Sequence, residues 1–170
     1  LFRSTSIQMI PMGCIVGSNN LSFAMGSINA SEFNTATKVG NARQSLTLAC
    51  EPGTNVSMRV AAASASGDNP DNTVMALTAE QNAATGVGVQ LNLNGKALPL
   101  NTDISLYTSS RTTVTNSGAD ASYSYFTNPD SPGGAAAMQT LALSTNYYRT
   151  GSAVTAGTAN ATGVITFTYN

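Results

Sequence analysis

"GTANATGVITFTYN", from Gly157 to Asn170, closes the chain, and its reading decides the fold. From Ala159 onward, Ala159, Ala161, Gly163, Ile165, Phe167 and Tyr169 fall on one side. Asn160, Thr162, Val164, Thr166, Thr168 and Asn170 fall on the other. A period of two marks a β-strand with one face toward a core. The alternation continues to the last residue, with neither cap nor polar tail. Such a strand is expected at a sheet edge or beside an incomplete groove, and an edge needs protection or a partner. A strand donated by another chain is one such partner.

Similar signals recur upstream, separated by Gly, Asn, Pro and Ser clusters. "NLSFAM" alternates Leu21, Phe23 and Met25, and "QSLTLAC" alternates Leu46, Leu48 and Cys50. "VSMRVAA" places Val56, Met58 and Val60 on one face, and a short run follows around Val74 and Leu77. "GVGVQLNLNGKALPL" alternates Val87, Val89, Leu91 and Leu93 before Asn94-Gly95, a type I′ hairpin signal. Ile104 and Leu106 mark a further strand, and Leu141, Leu143, Thr145 and Tyr147 another. Tyr147 and Tyr148 straddle that strand, which predicts one in the core and one at the surface. Helical periodicity is weak, with a single turn expected near residues 31–38. Residues 65–72, "ASGDNPDN", read as a turn. Residues 109–136 read as a long polar insertion with a short hairpin around Tyr123–Phe126. Many short strands with frequent turns indicate a β-sandwich or barrel.

The chain has 170 residues, enough for one domain that buries roughly 70% of the surface its unfolded chain exposes. Only 9% of residues are charged and the net charge is −1, so nucleic acid and anionic membrane are poor partners. No apolar run is long enough for a membrane-spanning helix, and no signal peptide is visible. The start at Leu1 is that expected of a processed chain or a fragment. Absence of histidine removes Ser-His-Asp, Cys-His and HExxH chemistry. The acids are isolated in turns and neither lysine forms SxxK, so no enzymatic activity, cofactor or metal is expected. Cys14 and Cys50 show no CxxC spacing and no histidine that would complete a zinc site. They read as a structural disulfide formed in an oxidising compartment, contributing roughly 4 kcal/mol in the chain-entropy model.

Taken together, these residues resemble the chaperone–usher fimbrial subunits of the type 1 and P pilus kind. The resemblance rests on "VTAGTANATGVITFTYN", with Gly157 fourteenth from the C-terminus and Tyr169 penultimate. It rests also on "ATGVGVQLNLNGKALPLN", on "LALSTNYYRTGSAVTAG", and on a cysteine near the start followed by a second about 36 residues on. It spans Cys14 to Asn170 apart from the 109–136 insertion. What it implies is an all-β fold, an incomplete immunoglobulin-like β-sandwich lacking its last strand. In that family a periplasmic chaperone lends a strand to the resulting groove and anchors the subunit's C-terminal carboxylate, here that of Asn170. At the outer-membrane usher, the N-terminal extension of the next fimbrial subunit replaces it. Matched position and alternation assign Leu21, Phe23, Ile165, Phe167 and Tyr169 to the groove. The implied location is an extracellular bacterial fimbrium reached through the periplasm.

Residues 1–13 form an N-terminal extension before a pilin domain at 14–170. In a polymerising subunit Leu1, Thr5, Ile7 and Met9 would be the donor-strand residues, with Arg3 interrupting them. The glycine that usually lies near the centre of the family's donor strand is missing. "MIPMGC" also resembles the linker before the pilin domain of a two-domain tip adhesin, whose partner would include a host receptor. A self-contained carbohydrate- or receptor-binding sandwich is the alternative from another class, and an isopeptide-crosslinked surface protein is a weaker one.

Overall fold

Leu46, Leu48 and Cys50 are 3%, 0% and 7% exposed, while Ala49 between them faces solvent. That alternation turns one face of a long strand into core, and each large apolar side chain buried there contributes roughly 1.5–3 kcal/mol. The computed structural model describes residues 13–51, 54–107, 113–115, 124–126 and 138–169. In chain order its strands are β1 (Cys14–Val16), β2 (Lys38–Cys50), β3 (Val56–Ala61), β4 (Val74–Met75), β5 (Val87–Leu93) and β6 (Lys96–Ala97). They continue as β7 (Asp103–Tyr107), β8 (Thr113–Thr115), β9 (Ser124–Phe126), β10 (Met138–Arg149) and β11 (Val164–Tyr169). Short 3-10 turns cover Ala30–Asn34 and Pro70–Asn72.

One sheet runs β1-β2-β10-β5-β4, with β6 hairpinned onto β5; the second runs β11-β3-β7. The named strand pairs are all antiparallel. Val56, Met58 and Val60 on β3 are nearly inaccessible, and they share one core cluster with Leu141 and Leu143 of β10 and Val89 and Leu91 of β5. The two sheets therefore bury their inner faces against each other, as a sandwich does. Asn94 and Gly95 both adopt positive φ, 50° and 80°, giving the type I′ turn that joins Leu93 to Lys96.

Two sequence expectations change. One of Tyr147 and Tyr148 was expected at the surface, yet the two are 9% and 8% exposed. Tyr148 does face outward from the sheet, but it shares a shallow depression with Pro70 and Thr73, and its hydroxyl lies 3.5 Å from Asp68 Oδ2. The 65–73 segment thus roofs the sheet there. Likewise, alternation in β5 suggested a solvated face, but Gln90 and Asn92 are buried too. Their polar groups are satisfied in a ladder: Gln90 Nε2 donates to Thr73 Oγ1 at 2.9 Å, Asn146 Nδ2 to Gln90 Oε1 at 3.1 Å, and Asn92 Nδ2 to Asn146 Oδ1 at 2.8 Å. Buried amides are tolerated when each finds such a partner.

Smaller differences concern bounds. The strand expected around Val74–Leu77 is only Val74–Met75, and the terminal strand begins at Val164 rather than Ala159. The hairpin near Tyr123–Phe126 exists as β9 paired with β8, so its second arm lies at Thr113–Thr115. The rest of the proposed 109–136 insertion lies outside the described residues.

Cys14 and Cys50 are directly opposite across β1 and β2 and are joined by a disulfide. The bridge ties the short edge strand β1 to the sheet across a sequence separation of 36. Replacing both cysteines by serine is expected to lower the free energy of unfolding by roughly 3–4 kcal/mol, as read by urea denaturation. A free-thiol assay on the denatured, unreduced wild-type chain is expected to find none.

Candidate functional site

β11 is held along one side only. Its residues pair with β3 from Val164↔Ala61 to Tyr169↔Val56, and no strand among the described residues pairs with its other edge. Ile165, Phe167 and Tyr169 are half-buried against the core, whereas Val164, Thr166 and Thr168 are exposed. The inward row is the one that alternation picked out, but its side chains are only partly covered.

A second half-buried row lies on the segment that follows β1. Leu21, Phe23 and Met25 pack on the same core, with Ser22 and Ala24 exposed between them. The sequence predicts a strand here. The structure keeps the alternation without a ladder: among the described residues no backbone–backbone hydrogen bond involves Leu21–Ile28. The segment is pinned instead through side chains. Gln44 Nε2 donates to the Ser22 carbonyl at 2.9 Å, and Thr145 Oγ1 donates to Met25 Sδ at 2.9 Å. A strand pattern becomes a ladder only when a neighbouring backbone pairs with it, and none among the described residues does so here.

A cavity of about 330 Å³ is lined from one side by Gly26 and Ile28 and from the other by Ala159 and Asn160, with Phe33 and Tyr147 also on its wall. The lead into β11 is fixed by a close backbone crossing. Ala84 N–H donates to the Thr158 carbonyl at 2.8 Å, and Thr158 N–H donates to the Asn82 carbonyl at 2.9 Å. A Cβ on Gly157 would lie 2.3 Å from the Asn82 carbonyl oxygen, so only glycine fits this crossing. Tyr147 hydroxyl donates to the Ala159 carbonyl at 3.0 Å and holds the lead from below.

Leu21, Phe23, Ile165, Phe167 and Tyr169 are thus each partly buried against the one core cluster. Sequence reasoning did not include Met25 and Ile28, although Met25 already continued the alternation of Leu21 and Phe23. Leu1, Thr5, Ile7 and Met9 lie outside the described residues, as does Asn170.

The comparisons bear on this geometry. The family model for fimbrial proteins matches residues 4–170. The chain belongs to the fimbrial protein family. No curated protein matches it by sequence. Among solved structures, the P pilus rod subunit PapA is similar with a TM-score of 0.58 at 14% identity, the match covering 92% of this chain and 99% of that one. A chaperone–usher pilus studied for the uncoiling of its rod is similar with a TM-score of 0.61 at 12% identity, over 98% and 93% of the two chains. The CupB6 tip adhesin of Pseudomonas aeruginosa is similar with a TM-score of 0.52 at 18% identity, over 84% of this chain and 35% of the adhesin. These likenesses fix the fold as the immunoglobulin-like sandwich of pilins. This fimbrial subunit is a structural protein of an extracellular fimbria, not an enzyme.

Burial raises the phenol pKa of Tyr147 and of Tyr169 above the ordinary 10.0. A raised folded-state pKa favours the protonated folded form, so this stability is complete below the unfolded value and is lost as pH rises through the folded one. The subunit has no histidine to titrate near neutrality. Its urea midpoint is therefore expected to change little between about pH 6 and 8 and to fall once pH passes roughly 10. Tyr147→Phe is expected to weaken that alkaline fall.

Proposed function

We propose that this subunit is assembled into its fimbria by strand donation. The observation that carries the proposal is the unpaired edge of β11, with Ile165, Phe167 and Tyr169 half-covered beside it. A strand laid along that edge would take up the free backbone donors and acceptors of β11, and its alternate side chains would cover both apolar rows. Each large apolar side chain so buried contributes roughly 1.5–3 kcal/mol. The cavity beside Ile28 and Ala159 accepts one further side chain at the end of the track.

In the periplasm a chaperone supplies the first strand, and its basic residues hold the carboxylate of Asn170. At the outer-membrane usher the N-terminal segment of another subunit replaces it. For a shaft subunit that segment is residues 1–12 of a further copy, with Leu1, Thr5, Ile7 and Met9 seated in the groove. The finished fimbria serves cell adhesion, with any host receptor contacted at its tip. Because dissociation requires drawing a strand out of a core, such a filament is kinetically durable without covalent links.

A synthetic peptide copying Leu1–Met12 tests the reading. Added to the purified chain in dilute denaturant, it is expected to bind 1:1 and to raise the unfolding midpoint strongly. Phe167→Asp is expected to abolish that rise. Stabilisation by a donor peptide from another fimbrial subunit, but not by this one, would make the chain the pilin domain of a tip adhesin instead. If no strand of any origin stabilises it, strand donation is wrong and the sandwich is self-contained.

A further inference from the structure

Three large apolar side chains stand well out of the surface among the described residues: Ile15 at 75% exposure, Met138 at 64% and Val164 at 64%. Their placement is not scattered. Ile15 and Met138 are both in register with Ala49, which is itself exposed, so the three form one outward row across β1, β2 and β10. Adjacent strands lie about 4.8 Å apart, which makes this an apolar strip about 10 Å long. It sits at the disulfide end of the sandwich, on the face opposite Cys14 and Cys50. Val164 lies at the other end, where β11 begins, with exposed Ala61 in register beside it.

We propose that the Ile15–Ala49–Met138 strip is a contact surface between successive copies of this chain, and that it packs on Val164 and Ala61 of the copy that receives residues 1–12. The proposal rests on the strand-donation reading. Residues 1–12 join the domain at Gly13, only two residues from Ile15. At about 3.3–3.6 Å per residue, whatever body holds the N-terminal segment is brought within roughly 7 Å of the strip. Tethering replaces affinity: a patch too small to associate on its own is engaged because its partner is already held beside it. Isolated exposed side chains are ordinary, but a contiguous apolar row beside the site of attachment is what an interaction surface looks like.

The choice of the opposite end follows from growth. Identical copies that add repeatedly must use a heterologous contact, in which different surfaces of the same molecule meet; a like-with-like contact closes on itself. The strip must therefore face something other than another strip. The apolar pair at the far end, next to the half-covered row of β11, supplies that surface.

Photo-crosslinking tests the contact. Benzoylphenylalanine replaces Ile15, and filaments grown from that chain are irradiated and digested. The expected product links position 15 of one copy to the segment containing Ala61 or Val164 of another. The same chain held as single subunits by the Leu1–Met12 peptide is expected to give no link between copies. In parallel, Ile15→Asp with Met138→Asp is expected to leave the midpoint of peptide-completed single subunits unchanged while filaments dissociate at lower denaturant than wild type. Filaments that form normally but give only links within one copy, or links elsewhere on the neighbour, overturn the contact. So does a double substitution that leaves filament stability unchanged. Failure of the unsubstituted chain to form filaments removes the strand-donation reading, and this contact with it.

Discussion

The free edge of β11 is the constraint on which the rest of the molecule turns. A strand with one free edge leaves half its outward donors and acceptors to water, and burying such groups unpaired is costly. Here β3 serves one edge from Val164 to Tyr169, and the other edge has no strand among the described residues. The same gap explains why Ile165, Phe167 and Tyr169 are half-covered although they point at a well-packed core. Leu21, Phe23 and Met25 likewise keep the side-chain order of a strand without a backbone hydrogen bond among the described residues.

Everything around the gap is firmly built, which is what makes an incomplete edge tolerable. The disulfide fastens β1 to β2 next to the start of the first apolar row. The Gly157 crossing and the Tyr147 bond to Ala159 fix the direction in which the chain enters β11. On the far side of the first sheet, the amide ladder of Gln90, Asn92 and Asn146 and the roof over Tyr148 close the outer face.

Much of this was legible before any coordinates. A period of two requires only that one face be buried, so Leu46–Cys50, Val56–Val60 and Ile165–Tyr169 were read in the right phase from alternation alone. The Asn94-Gly95 turn was legible because few residues accept positive φ at both positions. Burial on both faces of β5 was not legible. Gln90 and Asn92 look like solvent-facing residues until Thr73 of the loop before β4 and Asn146 of β10 supply their hydrogen-bond partners. The burial of both Tyr147 and Tyr148 was missed for a similar reason: the cover of Tyr148 comes from Asp68 and Pro70, about 80 residues earlier. The outward strip of Ile15, Ala49 and Met138 was equally hidden, since it exists only once register brings three separate strands side by side.

Residue-resolved amide hydrogen exchange on β11 tests the central claim most directly. Strand amides alternate in direction, so those of Val164–Tyr169 that do not face β3 have no strand partner among the described residues. The account predicts that these amides exchange quickly in the isolated subunit and become strongly protected in the assembled fimbria, while those bonded to β3 are slow in both. Uniform protection along β11 in the isolated chain, or free exchange that persists in the fimbria, would contradict it.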